Sequence, residues 1–369
     1  MANESNADDS HTVGIWQVNK DRLASMQQRI ANMPRILSGS AGKSFCSIFK
    51  VPQSFIDING RCYFPYIVSV GPYHHGDSRL LIRPVPWPVR PVRPHRAPQF
   101  SGASEIFQPI YMYSYFFSPT KLFLLYSNAR FLGALLKRRR INLENLLRAV
   151  QPLKARSREC YSADIHFSVD EFIEILAVDG CFVIELFRKF GGIVAFEADD
   201  PLLSLSWIYS FLLRDLIRLE NQIPFFVLQC LFDLTEPAGE EPSPSLQTQA
   251  LRCFNNILQR SEESVEKFGN LAGKHILDLL RSSFIPADYE EPWERKFTSS
   301  HVIHCISKLR RAGIRLKAAE ESFLVVRFGR GTMEMPKIAV DDFMYSFLLK
   351  CVAYEQCYRC CSKHMTTNV

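Results

Sequence analysis

Residues Ser168–Arg188, reading SVDEFIEILAVDGCFVIELFR, limit the possible folds of this chain more than any other stretch. Ser168 followed three residues later by Glu171 is a capping-box start, and Gly191-Gly192 supplies a stop. Between them Phe172, Ile173, Leu176, Cys181, Val183, Ile184 and Phe187 keep helical spacing. Around Gly180–Leu186 the apolar side chains cover most of the circumference. A helix that is apolar on all sides has to be enclosed by other elements. The rest of the chain must therefore provide helices that surround it.

Candidates for that ring are easily found. Residues 14–33 carry Leu23, Met26, Ile30 and Met33 on one helical face and stop at Pro34. Helical character returns at Phe131, and Leu202–Leu219 is a second strongly apolar helix. Pro224 suits the first turn of a helix over Pro224–Leu234, and Asp342–Tyr358 is a final apolar helix. Ser47–Ser69, broken by Pro52, Gly60 and Pro65, is expected to form short extended segments with turns. Ser322–Phe328 and Thr332–Met335 flank Gly329-Arg330-Gly331 as a hairpin. The expected fold is mainly α, bundle-like and globular, with a few short strands. Three parts are expected: residues 1–80, an irregular segment over 81–130, and a helical body over 131–369. Thr235–Gln249, with Pro237, Pro242 and Pro244, is the polar linker inside that body.

Residues 81–130 break the pattern. Six prolines between Pro84 and Pro98 alternate with Val, Trp and Arg, which excludes a helix or a sheet ladder there. The segment holds six basic residues against Glu105 alone, leaving 38 basic and 37 acidic residues elsewhere. The globular part is thus nearly neutral, and a nucleic-acid partner is not expected. The first residues, Met1 to Asp9, are polar and acidic with no apolar stretch after a basic start, so no secretory leader is expected. Ala2 stands where N-myristoylation requires a glycine, so that modification is not expected either. Eleven cysteines spread through apolar helical patterns read as reduced thiols. No window matches the ~18–20 apolar residues of a membrane span. Ile106–Tyr126 contains Pro109, Pro119 and Lys121, and Pro201–Leu213 is too short. The chain as written is expected to be cytoplasmic or peripheral to a membrane.

Chemistry-bearing patterns each have a plainer explanation. Phe190-Gly191-Gly192-Ile193 lacks the Lys-Ser/Thr of a phosphate loop and is a helix stop. Adjacent His74-His75 point in different directions in regular structure, so a turn over Pro72–Asp77 is favoured over a metal site. Cys357, Cys360, Cys361 and His364 are four possible ligands, but structural zinc sites draw ligand pairs from separate segments. Thiols at a helix end are expected there, with palmitoylation as an alternative. Lys137-Arg138-Arg139-Arg140 is expected on a solvated helix face, with Glu144 four residues from Arg140. Asp170, Glu171, Glu174, Asp179 and Glu185 are dispersed round one helix, the first two suiting its N-terminal dipole. At Leu219–Pro224 two helices are expected to meet, with Asn221 and Gln222 serving orphan backbone groups.

Several of these stretches together resemble one family. Ile48–Pro52, Pro65–Gly76, Ser168–Arg188, DLIRLENQIPFFVL at Asp215–Leu228, LRRAGIRL at Leu309–Leu316 and Met335–Cys357 are similar to the plant proteins grouped as domain of unknown function 247. Residues 81–130 depart from that pattern, which resumes at Phe131-Leu132-Gly133, and they read as retained intron sequence or a mis-joined exon. Family members continue past this chain's last residues to a hydrophobic, membrane-spanning helix, so a C-terminal truncation is expected. The resemblance implies no accepted enzymatic activity and no catalytic residue. Through some grass members it implies pollen–stigma self-recognition. The expected function is non-enzymatic interaction or signalling with a protein partner of unknown identity. The alternatives are an enzyme with an unrecognised site and a non-functional gene product. No catalytic, cofactor-binding or metal-ligating residue is assigned, and no cofactor is implied.

Overall fold

The computed structural model describes residues 20–31, 45–77, 130–197, 200, 206–236, 243–258, 260–285, 306–319, 326–336 and 341–358. The segment 81–129 and the ligand candidates Cys360, Cys361 and His364 lie outside them.

At the centre stands the helix Val169–Phe190. Ser168 Oγ accepts from Glu171 N while the Glu171 carboxylate accepts from Ser168 N, the expected capping box. From Asp179 to Lys189 every residue is buried, so three consecutive turns are enclosed on all sides. The enclosing helices are Leu143–Val150, Phe225–Thr235 and Leu246–Leu258, which pack directly on it. Gly180 marks the tightest approach. A Cβ there would lie 2.5 Å from Leu231 Cδ1, so the glycine lets Leu231 of Phe225–Thr235 pack directly on the central helix. The expected linker Thr235–Gln249 is shorter than its composition suggests, since residues 246–249 form the start of a helix. The two helices it joins share one neighbour and one hydrophobic core.

Other helices close the remaining sides. Ser206–Leu216 and Asp342–Cys357 pack together, and Ile276–Ser282 lies against the latter. Phe343, Phe347, Cys351 and Tyr354 recur at helical spacing and are all buried. Arg281 bonds Glu355 at 2.7–2.8 Å beneath them. Lys20–Ala31 confirms the first amphipathic helix. Cys46, Cys62, Cys160, Cys181, Cys230, Cys253, Cys351 and Cys357 are free thiols. Among the described residues no helix is long and apolar enough to cross a membrane.

The stretch Ser47–Ser69 differs from expectation. A short α-helix, Gln53–Asn59, and a 3-10 turn, Gly60–Cys62, replace extended structure. Pro52 sits at the N-cap in an extended conformation, where its missing amide costs nothing, and Gln53 bonds Asp57 one turn later at 2.7 Å. Extended pairing survives as a single parallel bridge, Ile48 to Tyr161.

The hairpin is present and belongs to a three-stranded sheet. Strand β1 is Arg315–Ala319, β2 is Arg327–Gly329 and β3 is Thr332–Pro336, in the order β1-β3-β2. β2 and β3 are antiparallel, joined through Arg330 and Gly331, both at positive φ, while β1 runs parallel to β3.

Candidate functional site

The densest polar construction lies where Ser206–Leu216 ends and Phe225–Thr235 begins. Pro224 N-caps the second helix, so the chain must turn between them, and it does so in two tight steps. Arg218 N bonds Asp215 O at 3.1 Å and Asn221 N bonds Arg218 O at 3.0 Å. Asp215, Arg218, Asn221 and Gln222 are all buried, so each must find a partner inside the protein.

Their partners come mainly from the N-terminal segment. Asp215 Oδ2 accepts from the consecutive amides of Tyr66, Ile67 and Val68 at 3.0, 2.6 and 3.0 Å. Its Oδ1 accepts from Arg218 Nε at 2.7 Å and also from Tyr66 N. Arg218 Nη1 donates onward to the carbonyl of Cys62. Asn221 accepts from Val70 N at 2.7 Å and donates to Val68 O and Asp215 O, both at 3.0 Å. Gln222 donates to Leu216 O and Arg218 O, each at 2.7 Å. The expected capping role of Asn221 and Gln222 is thus present, and Asn221 also holds a segment about 150 positions away.

Gly71 completes the seam. Its φ is +76°, and a Cβ there would stand 2.6 Å from Gln222 O, so only glycine permits this approach. Gly71 N donates to Asp179 Oδ2 of the central helix at 2.9 Å, while Tyr161 Oη donates to Gln222 O at 3.0 Å. Burial pushes the Asp179 carboxyl up to about 7 against the pull of the Gly71 amide. Nearby, burial and then the Arg218 charge lower Lys350 to about 7, with Asp215 pulling the other way.

A second cluster borders the seam. Glu220 accepts from Val51 N at 2.7 Å and from the half-exposed Lys50 ammonium at 3.0 Å. His74 Nε2 lies 3.3 Å from the same carboxylate, its ring edge-on to Phe64. His75 points elsewhere, against Phe167, and its pKa is lowered by burial. The turn expected over Pro72–Asp77 is present, with Gly76 at positive φ. Among the described residues no cluster of three or more His, Cys, Asp or Glu is placed to hold a metal.

The remaining sequence candidates are dispersed. Asp170, Glu171 and Glu174 are exposed on the central helix, whereas Asp179 and Glu185 are buried. The basic run 137–140 is not simply a solvated face. Arg138 forms a bidentate pair with buried Glu185 at 2.7 and 2.5 Å, and Glu144 pairs with Arg148 instead of Arg140. Buried Arg188 reaches Thr235 and, at 2.7 Å, Glu236. A groove of about 430 Å³ is lined by Ser210, Arg214, Ile257, Asp341, Asp342 and Phe343, the first two on the helix that also carries Asp215.

Sequence reading missed Asp215, Arg218 and Glu220 as members of the seam. The available signal was three charges inside DLIRLE, a run otherwise made of Leu and Ile.

These features define a helical body in which ionisable side chains tie an irregular N-terminal segment onto the core. A family model described as plant protein of unknown function (DUF247) matches residues 48–368, and the chain belongs to that family. It is similar to the UPF0481 protein At3g47200 of Arabidopsis thaliana, 30% identical over 361 residues, covering 91% of this chain and 66% of that protein. It is also similar to the putative UPF0481 protein At3g02645 of the same plant, 22% identical over 294 residues, covering 76% and 47% respectively. The chain therefore spans between about half and two thirds of these relatives' lengths. No solved structure matches the chain.

Proposed function

We propose that this chain is a non-enzymatic interaction protein whose helical body presents a surface to a protein partner in plant recognition or signalling. The observation that carries this reading is the state of Asp215. Its two oxygens are occupied by three consecutive backbone amides and by Arg218, with no exposure to solvent. A carboxylate acting as an acid or base has to meet the proton it transfers. This one is committed to holding backbone. Glu220 and Glu185 are engaged in the same manner, by Val51 N with Lys50 and by Arg138. The family the chain resembles includes some grass members linked to pollen–stigma self-recognition, which supports the reading.

The test compares stability with chemistry. The purified chain and its Glu220→Gln and Asp215→Asn variants are incubated with plant metabolite extract, followed by mass spectrometry, and their Tm values are measured. The expected result is a lowered Tm for both variants and no catalysed turnover for any form. In tissue, chemical cross-linking should join the wild-type chain to the same partner protein in repeated experiments. Turnover by the wild type that either variant abolishes at unchanged Tm would overturn the proposal.

A further inference from the structure

Among the described residues, the small sheet stands out because one face leaves Leu316, Val326 and Phe328 exposed, with Met333 and Met335 half-buried beside them. Register places Leu316 opposite Met333 and Met333 opposite Phe328, forming one row across the three strands. Ala318 and Met335 sit beside them on that face. Phe328 is 62% exposed, Val326 45% and Leu316 37%. The opposite face carries Arg315, Lys317, Arg327, Thr332 and Glu334, with Lys317 bonded to Glu334 at 2.7 Å.

Among the described residues, the strand β1 is also open along one edge. Among the described residues its strand neighbour is β3, and Arg315 through Ala318 are all exposed. Arg315 N donates inward to Gly331 O at 2.9 Å. Alternation along a parallel ladder then turns the amides and carbonyls of Leu316 and Ala318 outward. Such an edge is a template for another strand.

Charge selects which strand fits. The described residues over 306–336 include Lys308, Arg310, Arg311, Arg315, Lys317, Arg327 and Arg330 against Glu334, while Glu320 and Glu321 follow β1 in the sequence outside them. Antiparallel pairing of two copies centred on Leu316 would set Arg315 against Lys317 twice, and facing like charges are unfavourable. A strand alternating acidic and apolar residues meets both faces. Its acids oppose Arg315 and Lys317, and its apolar residues extend the Leu316–Met333–Phe328 row.

We propose that the open edge of β1 is a docking site for an extended, alternately acidic and apolar segment of a partner protein, added as a fourth strand. This inference rests on the reading of the chain as an interaction protein and names the surface and the chemistry of its partner.

The experiment uses the full chain and a fluorescently labelled ten-residue peptide alternating Val and Glu, with a Val/Lys peptide as control. Fluorescence anisotropy should show binding of the acidic peptide alone. Ala318→Pro removes an outward amide, and proline is tolerated at an edge. It should weaken binding by about tenfold or more, as should Arg315→Glu combined with Lys317→Glu, which reverses two cross-strand charge pairs. The double variant should also gain the basic peptide. The double variant alters exposed side chains and breaks the surface Lys317–Glu334 pair. Arg315→Glu alone, which leaves that pair intact, should weaken binding in the same direction, so the test remains informative if the proline variant fails to fold.

No binding at millimolar acidic peptide, equal binding of the two peptides, or unchanged affinity in the double variant would overturn the inference. Cross-links to a reproducible partner lying elsewhere on the surface would overturn it too, while leaving the interaction reading intact.

Discussion

Asp215→Asn is the sharpest perturbation of the seam because it changes one atom of a fully buried side chain. An amide can retain only one of the two carboxylate oxygens. If the oxygen stays at the Oδ2 position, Tyr66, Ile67 and Val68 keep an acceptor, but the new NH₂ group faces Arg218 Nε, now 2.7 Å from another donor. If it stays at Oδ1, three backbone amides face a donor instead. The first arrangement is the milder, and it still removes the carboxylate that balances Arg218 and offsets the buried Lys350 charge. Breaking a buried ion pair from one side costs about 3–5 kcal/mol, and losing a single charge-assisted hydrogen bond about 1.5–3.

The expected loss is therefore about 3–5 kcal/mol, most of it from the uncompensated Arg218 charge. Urea denaturation should show it as a lower midpoint at an unchanged slope. Hydrogen exchange adds a local readout, with the amides of Tyr66, Ile67 and Val68 exchanging faster than in the wild type. Asp170→Asn, in the exposed first turn of the central helix, is the control and should cost no more than about 1 kcal/mol. A midpoint for Asp215→Asn equal to that of the control would refute the argument that this carboxylate anchors the N-terminal segment.

Gly71→Ala should destabilise by roughly 2 kcal/mol or more, since it combines a left-handed φ with a Cβ 2.6 Å from the Gln222 carbonyl oxygen. A Tm within a degree of wild type would contradict that close approach. The pH dependence of stability should respond in opposite senses to two other substitutions. Asp179, raised to about 7 by burial, keeps its proton in the folded chain after the unfolded chain has released it, so its contribution to stability is lost as pH rises to about 7. Asp179→Asn should therefore gain on the wild type between about pH 4 and 7, by up to about 4 kcal/mol. His275, lowered to about 4 by burial, is neutral in the folded chain while the unfolded chain is charged, so stability falls as pH drops through about 6.5 to 4. His275→Gln should lose ground against the wild type over the same rising interval. Denaturation curves for both variants that stay parallel to wild type from pH 4 to 7 would dispose of both assignments.

The central helix was legible because its signal is local. Enclosure on all sides is written into the apolar composition around Gly180–Leu186, and the capping box needs residues only three apart. The hairpin was legible for the same reason, at Gly329-Arg330-Gly331. Strand β1 was not, because RLKAA has little strand preference of its own and is held by parallel pairing to residues 17 positions later. Gln53–Asn59 misled in the reverse direction, since Phe55, Ile56 and Ile58 suggest a strand while Pro52 and the Gln53–Asp57 pair set a helix turn.

The seam marks a deeper boundary between what sequence shows and what structure adds. Asn221 and Gln222 could be read as capping residues because their acceptors Asp215 O, Leu216 O and Arg218 O are four to six positions away. The partners of Asp215 are backbone amides about 148 positions earlier, and every residue but proline carries such an amide, so no side-chain pattern announces them. A carboxylate within an apolar helical run is compatible with either an acid–base role or an anchoring one. The direction of its lone pairs decides between them. In Asp215 they point at Tyr66, Ile67, Val68 and Arg218, leaving none for a substrate. The charges of DLIRLE are therefore accounted for by architecture, and the recognition proposed for the chain points instead to surfaces such as the edge of β1, where among the described residues hydrogen-bonding groups and apolar side chains are turned outward.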